Sequence, residues 1–216
     1  MKLSDRGMIA LIGHEGIVPG PYLDSVGVQT YGVGHTAAAG DPIPAQMPAG
    51  MPADLDAELL RVFDVFRADV ARYAEAVDRA ITVPVSQEQF DAAVSFHYNT
   101  GGIARAAWVT ALNAGDTKVA ARKIMNWNKP PEIIPRRQDE QRLFRDGVYP
   151  TGALNVWNVT TDRRIVWRTA RVLDPETALF MIHYARPDVL WPDEVPNQGF
   201  WASIVAAILG LFGGRK

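Results

Sequence analysis

The chain has 216 residues, of which 48% are hydrophobic and 21% are charged, as in soluble globular proteins. Its 22 basic and 24 acidic side chains give a net charge of −2, so charge alone attracts neither nucleic acid nor an anionic surface. The absence of cysteine excludes disulfides, thiolate metal sites and cysteine redox chemistry. We therefore expect a globular protein that does not bind nucleic acid.

The first predicted element is a helix that begins after Ser4, a favourable N-cap residue, and ends near Glu15 among glycines. The apolar run inside this helix, residues 8–12, is too short for a signal peptide. Residues 21–36 predict a small antiparallel sheet, because strand-forming residues are interrupted by glycines that permit tight turns. Four prolines between residues 40 and 52 predict a loop beside a cleft.

The middle of the chain is predicted to be helical. Apolar residues recur at three- and four-residue steps from Asp54, a helix cap, to Pro84. The capping-box sequence SQEQ, beginning at Ser86, opens the next helix, which two glycines close after Thr100. Three further helices are predicted, over residues 104–114, 116–127 and 136–146.

The pattern changes after Gly147, where strand-forming residues on both sides of the polar turn 160–163 predict a β-hairpin. Four prolines from Pro175 to Pro196 then predict a stiff, irregular connection. Residues 200–212 form an uncharged apolar run, shorter than the ~20 residues that a membrane span needs. This tail either packs on the protein or contacts a membrane or a partner, and the sequence leaves both alternatives open.

Three polar residues near the N-terminus have the chemistry of sugar-bond hydrolysis, which needs one carboxyl to donate a proton and a second group to activate water. Glu15 leaves an apolar helix, where burial disfavours the charged carboxylate, whereas Asp24 lies in a wetter turn that favours it. Thr30 adds a hydroxyl that can hold water beside Asp24. His14 is expected to face outward, since its charge would weaken the acid. Each residue alone also suits a purely structural role, so the prediction depends on their joint spacing.

That spacing resembles the catalytic signature of the phage-type lysozymes, glycoside hydrolase family 24. Eight residues separate Glu15 from Asp24, five separate Asp24 from Thr30, and Thr30 begins the stretch TYGVGHT. Residues 89–101 resemble the family's helix across the cleft, and residues 136–144 resemble its closing helix. The resemblance therefore covers most of the chain before the predicted hairpin.

The resemblance implies a mainly α, α+β fold of the two-lobed lysozyme type. A small antiparallel sheet in the N-terminal lobe, a long connecting helix and a helical C-terminal lobe would enclose a glycan-binding cleft. The implied catalytic domain is 1–147, followed by an extension with the hairpin at 148–199 and the apolar tail at 200–216. Within the catalytic domain, the sheet lobe is 15–53, the connecting helix is 54–82 and the helical lobe is 85–147.

By resemblance, Glu15 is the general acid, Asp24 handles the attacking water and Thr30 is its partner. The implied reaction is cleavage of the β-1,4 bond between N-acetylmuramic acid and N-acetylglucosamine in peptidoglycan, without a metal or an organic cofactor. We expect a monomer that is made in the cytoplasm without a signal peptide and acts on the glycan strands of the cell wall after release.

Tyr98, Asn99 and His35 are the predicted substrate-binding residues. Tyr98 and Asn99 match positions that line the family's glycan groove, where a ring can pack on a sugar and an amide can bridge its polar groups. His35 lies at the cleft floor in the family, where pairing with an acid is the structural alternative. Arg136 and Arg137 are predicted to begin a helix in solvent, and a role near the peptide or lactyl carboxylates of the glycan is the alternative.

Two alternatives to a hydrolase stay open. The first is a catalytically weak, muramidase-like module that binds the wall and is tethered by the apolar tail. The second is a lytic transglycosylase, which would use one acid and form an anhydro sugar without water, although the presence of Asp24 and Thr30 argues against it. The proline-rich loop at 41–52 is longer than the family's short connection and is expected to alter access to the cleft.

Overall fold

The computed structural model of the chain describes residues 1–184, which form seven α-helices and five β-strands. In chain order these elements are α1 (Asp5–Glu15), β1 (Val18–Leu23), β2 (Gln29–Gly32), β3 (His35–Thr36), α2 (Leu55–Ala80), α3 (Gln87–Thr100), α4 (Ala107–Asn113), α5 (Thr117–Ile124), α6 (Ile134–Asp146), β4 (Leu154–Val159), β5 (Ile165–Leu173) and α7 (Pro175–Tyr184).

Helix α1 ends at the predicted acid. The Ser4 hydroxyl accepts a hydrogen bond from the Gly7 N–H at 3.0 Å and so caps the first turn. At the other end, Gly16 adopts φ 72° and donates its N–H to the Ile12 carbonyl at 2.8 Å. Because the following residue leaves the helical conformation, Glu15 is the last helical residue, as predicted.

The N-terminal sheet is antiparallel with the strand order β1-β2-β3. Tyr22 on β1 is opposite Thr30 on the central strand β2, and Thr30 is in turn opposite Thr36 on β3. Thr30 is only 4% exposed because it has a strand on either side. The turn between β1 and β2 therefore places Asp24 at one end of the sheet and Thr30 in the second residue pair from that end.

The long helix α2 joins this sheet to the helical part of the chain, as predicted. The Asp54 carboxylate caps its first turn by accepting the Ala57 N–H at 3.0 Å. One face of the helix enters the core, with the fully or nearly fully buried side chains Leu59, Val62, Phe63, Phe66 and Val77. The apolar residues that recur at three- and four-residue steps in the sequence form this buried face.

The remaining helices pack around α3 and α6. The capping box at Ser86 and the left-handed C-cap at Gly101 both form as predicted. The helix predicted from residue 104 starts later, since a 3₁₀ turn occupies Ile103–Arg105 and Ala106 is extended. Helix α5 ends at Ile124, three residues before the predicted end.

The predicted C-terminal hairpin consists of β4 and β5, paired antiparallel from Leu154 opposite Leu173 to Val159 opposite Ile165. Its first strand also joins the N-terminal segment through a parallel bridge between Ile17 and Val156. The Trp157 N–H donates to the Ile17 carbonyl at 2.8 Å, directly after the exit of α1. The hairpin is therefore built onto the sheet that follows Glu15.

The irregular connection predicted from Pro175 is wrong for its first ten residues, which form helix α7. Proline is favourable in a first helical turn, where its missing N–H is not needed, and Asp174 caps the helix by accepting the Thr177 N–H at 2.8 Å. The other three prolines and the apolar tail at 200–212 lie outside the described residues. Among residues 1–184, no helix combines the length and the hydropathy needed to cross a bilayer.

Candidate active site

Glu15 lies where α1 meets α6. Its Oε1 accepts a hydrogen bond from Arg136 Nη1 at 2.6 Å, and its side chain is 19% exposed. Arg136 is itself buried and donates from Nε to Glu140 Oε1 at 3.1 Å and from Nη2 to the Ser95 carbonyl at 3.2 Å. Helices α3 and α6 therefore fix the guanidinium, which in turn orients the Glu15 carboxylate.

The charge environment of Glu15 differs from the one predicted. The sequence indicated an apolar helix exit, but a guanidinium nitrogen of Arg136 lies 2.6 Å from the Glu15 carboxyl. Burial opposes the positive charge of Arg136, yet the nearby carboxylates of Glu15 and Glu140 outweigh burial and raise the pKa of Arg136. Arg136 therefore carries its charge at this position, 2.6 Å from the Glu15 carboxyl.

Asp24 begins the turn between β1 and β2. Its Oδ1 accepts the N–H of Val26 at 2.9 Å and the N–H of Val28 at 2.8 Å. These two backbone donors fix the orientation of the Asp24 carboxyl. The turn exposes Asp24 partly to solvent, in agreement with the wetter surroundings predicted for it.

Thr30 is linked to Asp24 through one residue. The Thr30 hydroxyl donates to the Val28 carbonyl at 3.1 Å, while the Val28 N–H donates to Asp24. Because the hydroxyl proton is used in this way, the Thr30 Oγ1 presents acceptor lone pairs to anything else that it contacts. The Asp24 carboxyl and the Thr30 hydroxyl, both of them acceptors, are thus hydrogen-bonded to the same residue of the backbone, Val28.

Tyr22 and Gly34 relate the two acids to each other. Burial raises the pKa of Tyr22 above its ordinary value, and the charges of Glu15 and Asp24 raise it further, so both acids lie within electrostatic range of this hydroxyl. A Cβ added to Gly34, which has φ 77°, would lie 3.5 Å from Glu15 Oε2 and 3.4 Å from Tyr98 Cε1. The turn after β2 therefore closes against the Glu15 carboxyl.

Tyr98 and Asn99, two of the predicted binding residues, lie at the end of α3 near Glu15. The Tyr98 hydroxyl donates to the Val33 carbonyl. The Asn99 side chain is exposed, and its Oδ1 accepts from Arg137 Nη2 at 2.6 Å. This bond orients the exposed amide and directs its N–H groups elsewhere.

His35 is placed differently from the other two. It is 2% exposed, its Nδ1 lies 2.7 Å from Asp69 Oδ2, and its Nε2 lies 2.8 Å from the Pro42 carbonyl. Burial lowers the pKa of His35, but the bond to Asp69 and its charge outweigh burial and leave the pKa raised. Both ring nitrogens are used inside the protein, so the geometry matches the structural alternative and offers no ring atom to a glycan.

The buried ion network was missed from the sequence, since Arg136 and Arg137 were expected in solvent and are 8% and 0% exposed. Arg137 Nη1 lies 2.5 Å from Glu140 Oε2, and Ser95 Oγ donates to Glu140 Oε1 at 2.8 Å. A signal was present: Glu140 and Arg136 lie three and seven residues before the apolar residue Leu143, on the same face of the helix. Charged residues on the apolar face of a helix indicate a buried network.

His14 is half-buried, whereas an outward position was expected. It lines a cavity of about 330 Å³ on the side of α1 that faces Asp139 and Pro150. Burial lowers the pKa of His14 to about 4, and the charges of Arg136 and Arg137 contribute to the shift. The imidazole is therefore neutral at neutral pH and adds no charge beside Glu15.

No group of three or more histidine, aspartate or glutamate side chains in residues 1–184 is arranged to hold a metal ion. The site consists of one acid at a helix exit, a second acid in a sheet turn and a hydroxyl on the central strand. Together with the small sheet, the long helix and the helical lobe, this arrangement defines the lysozyme-like class of folds.

Comparison with known proteins agrees with the lysozyme-like class. The Phage lysozyme family model matches residues 12–140. The chain is 31% identical to the endolysin of Salmonella phage P22 over 67% of this chain and 98% of that protein. A solved structure, the endolysin from Escherichia coli O157:H7 phage FAHEc1, is similar with a TM-score of 0.61 and 31% identity, over 70% of this chain and 98% of that one. The chain belongs to the phage lysozyme family.

The similarity covers only part of this chain and, for one relative, only part of that protein. The chain is 30% identical to the endolysin of Bacillus phage PZA over 68% of its own length, but this match covers only 56% of that endolysin. The chain thus spans little more than half the length of that relative. Within this chain, the strands β4 and β5 and helix α7 follow the last residue of the family match.

Proposed function

We propose that this chain is a peptidoglycan muramidase that hydrolyses the β-1,4 bond between N-acetylmuramic acid and N-acetylglucosamine. The observation that carries the proposal is the position of Glu15, an acid fixed by Arg136 at the exit of α1 and facing the sheet that carries Asp24 and Thr30. Glycoside hydrolysis requires two carboxyl groups that lie at separate positions and in different surroundings. The relatives' name, endolysin, supports the same activity.

In this mechanism Glu15 gives its proton to the leaving glycosidic oxygen. The proposal requires that Glu15 carries its proton when the glycan is bound. A bound glycan excludes water from the cleft, and removing water disfavours the charged carboxyl. Arg136 retains its other acceptors, Glu140 and Ser95, when the Glu15 carboxyl is neutral.

Asp24 and Thr30 hold the attacking water. Both present acceptors, since the Asp24 carboxyl has oxygen lone pairs and the Thr30 proton is already donated to the Val28 carbonyl. A water that donates its two hydrogens to these acceptors directs a lone pair towards the anomeric carbon. As the bound water attacks from the face opposite the leaving group, its proton passes to Asp24 and the bond to the leaving oxygen breaks, which gives inversion of configuration.

Tyr98 and Asn99 are proposed to bind the glycan beside Glu15, where the Tyr98 ring lies against the Gly34 turn and the Asn99 amide is exposed. His35 is proposed to act through structure only, by holding the start of the proline-rich loop to α2. We propose residues 1–147 as the catalytic domain, residues 148–199 as an extension that carries the hairpin, and residues 200–216 as a tail.

The site of action is proposed to be the cell wall, with the glycan strand as the partner, no cofactor and a monomeric enzyme. The chain is proposed to be made in the cytoplasm and released to the wall during lysis. For the apolar tail the proposal keeps two alternatives, contact with a membrane or a partner and packing on the protein.

The proposal is tested by product analysis on purified sacculi. The wild type is expected to release reducing muramic acid ends with one water added per bond. Glu15→Gln keeps the size of the side chain and removes the proton, so activity should fall by at least about 1000-fold. Glu75→Gln on α2 is the matched control, since Glu75 is exposed and should be dispensable.

Three outcomes oppose the proposal. Undiminished lysis by Glu15→Gln would exclude Glu15 as the acid. Anhydro sugar products would show a transglycosylase, and tight glycan binding without new reducing ends would show a wall-binding module. Circular dichroism and the melting temperature of both variants establish that each one is folded.

A further inference from the structure

The turn of the C-terminal hairpin contacts both ends of the turn that carries Asp24, although the hairpin follows the family match. The backbone oxygen of Arg163 accepts the N–H of Leu23, the residue before Asp24, at 2.9 Å. Its guanidinium Nη1 donates to Oε1 of Gln29, the residue before Thr30, at 2.6 Å. One hairpin residue therefore binds the last residue of β1 and the first residue of β2.

The same guanidinium also binds the proline-rich loop. Its nitrogens donate at 3.1 Å to each of three loop carbonyls, those of Pro44, Ala45 and Met47. The planar guanidinium presents five N–H groups in a fixed fork, so it can serve acceptors on two segments at once, which a lysine ammonium on its flexible stem does less well. The loop is thus fixed between the sheet and the hairpin.

The backbone of Arg163 indicates that this contact is specific. Arg163 is the one non-glycine residue with positive φ in residues 1–184, at 62°. A side chain in the left-handed region costs on the order of 1 kcal/mol, and glycine would avoid that cost. The neighbouring Arg164 differs, since its side chain pairs with Asp162 on the same turn and both side chains are largely exposed.

We propose that Arg163 is a positioning residue that holds the turn from Asp24 to Val28, and thereby the Asp24 carboxylate and the Thr30 hydroxyl, in the geometry that binds the attacking water. The inference rests on the proposed function of those two residues. The bonds that orient Asp24 lie within its own turn, to the Val26 and Val28 N–H groups. Arg163 connects that turn to the rest of the protein.

The test uses Arg163→Gly in the full chain. Glycine adopts φ 62° without strain, so the change keeps the Leu23 bond and removes only the guanidinium. Hydrogen exchange at the Val26 and Val28 amides should rise about 10-fold, which reports local opening of the turn. On soluble glycan strands kcat should fall about 10- to 100-fold with KM changed less than about threefold, since misplacement by about 1 Å affects the reaction more than binding.

Two further variants make the test specific. Arg164→Ala removes the same charge from the next position and should leave exchange and kcat at the wild-type level. Arg163→Lys keeps the charge without the fork and should stay at least about fivefold below wild type in kcat. It also replaces the glycine variant if that variant fails to fold, which the melting temperature shows.

The proposal is overturned if exchange at the two amides is unchanged in Arg163→Gly, or if it rises while kcat holds. An equal loss in Arg164→Ala also overturns it, since charge rather than position would then be responsible. Failure of the proposed function is distinguishable, because a wild type that releases no reducing ends contradicts hydrolysis directly. Amide exchange then decides for or against the anchoring role without reference to activity.

Discussion

Arg136 donates to Glu15 at 2.6 Å while it is held from behind by Glu140 and by the Ser95 carbonyl. The acid at the helix exit is therefore positioned by a residue more than one hundred positions away in the chain. This pair joins α1, which precedes the sheet, to α6, which closes the helical part. The orientation of the acid and the packing of two helices depend on the same guanidinium.

Replacing Arg136 by methionine should impair both stability and activity. The change leaves Glu15 and the buried Glu140 without a shared cation, and loss of one partner of a buried ion pair costs about 3–5 kcal/mol. Activity should fall as well, since Glu15 loses the donor that orients its carboxyl. Urea unfolding and steady-state kinetics on soluble glycan strands measure the two effects.

Arg142→Met is the control for that variant. Arg142 lies on the same helix, pairs with Asp139 and is half-exposed, so its loss should change the free energy of unfolding by less than about 1 kcal/mol. A folded Arg136→Met that keeps the wild-type kcat would contradict the assigned role of the guanidinium in orienting Glu15.

Thr30→Val tests the hydroxyl with almost no change of shape. The residue is 4% exposed, so a second methyl group is tolerated, and the lost bond to the Val28 carbonyl should cost about 1 kcal/mol. Loss of the acceptor for the attacking water should lower kcat by about 100-fold or more. Steady-state kinetics on soluble glycan strands, with urea unfolding, give both numbers.

Two companion variants interpret that result. Thr30→Ser keeps the oxygen and should retain activity within a few fold of wild type. Thr36→Val alters the residue directly opposite on β3 and should leave kcat unchanged. If Thr30→Ser is as impaired as Thr30→Val, the methyl group and not the hydroxyl is what the site requires.

The local signals in the sequence predicted the fold well because caps, glycines and apolar periods act over a few residues. Ser4, Asp54 and Ser86 each begin a helix as predicted, and the order Glu15, Asp24, Thr30 placed the polar residues around one sheet. These features depend on neighbours in the chain, which a single sequence shows.

Long-range polar contacts were not predictable in the same way. Arg136 reads as a solvated residue in a polar helix, and only its position relative to Leu143 indicates burial. The contact of Arg163 with Gln29 joins segments 134 residues apart. Such contacts are set by how helices and strands pack, so spacing along the chain carries little information about them.

His14 should make the protein less stable in mild acid. Burial, with the charges of Arg136 and Arg137, lowers its folded pKa to about 4, whereas an unfolded histidine titrates near ~6.5. Between these values the unfolded chain binds the proton and the folded protein does not, so stability falls as the pH decreases through this window. The full shift corresponds to a loss of about 3 kcal/mol at pH 4.

The measurement is the free energy of unfolding by urea from pH 7 to pH 4 in wild type and in His14→Gln. The variant should lose less stability than wild type across this range. The raised pKa of His35 acts in the opposite direction, since its contribution to stability is present below ~6.5 and is lost as the pH rises through the folded pKa. This contribution is the same in wild type and in His14→Gln, so it cancels in the difference between them. His183→Gln is the control, because His183 is half-exposed beside Asp5. Parallel curves for wild type and His14→Gln would show that the folded protein protonates His14 as readily as the unfolded chain does.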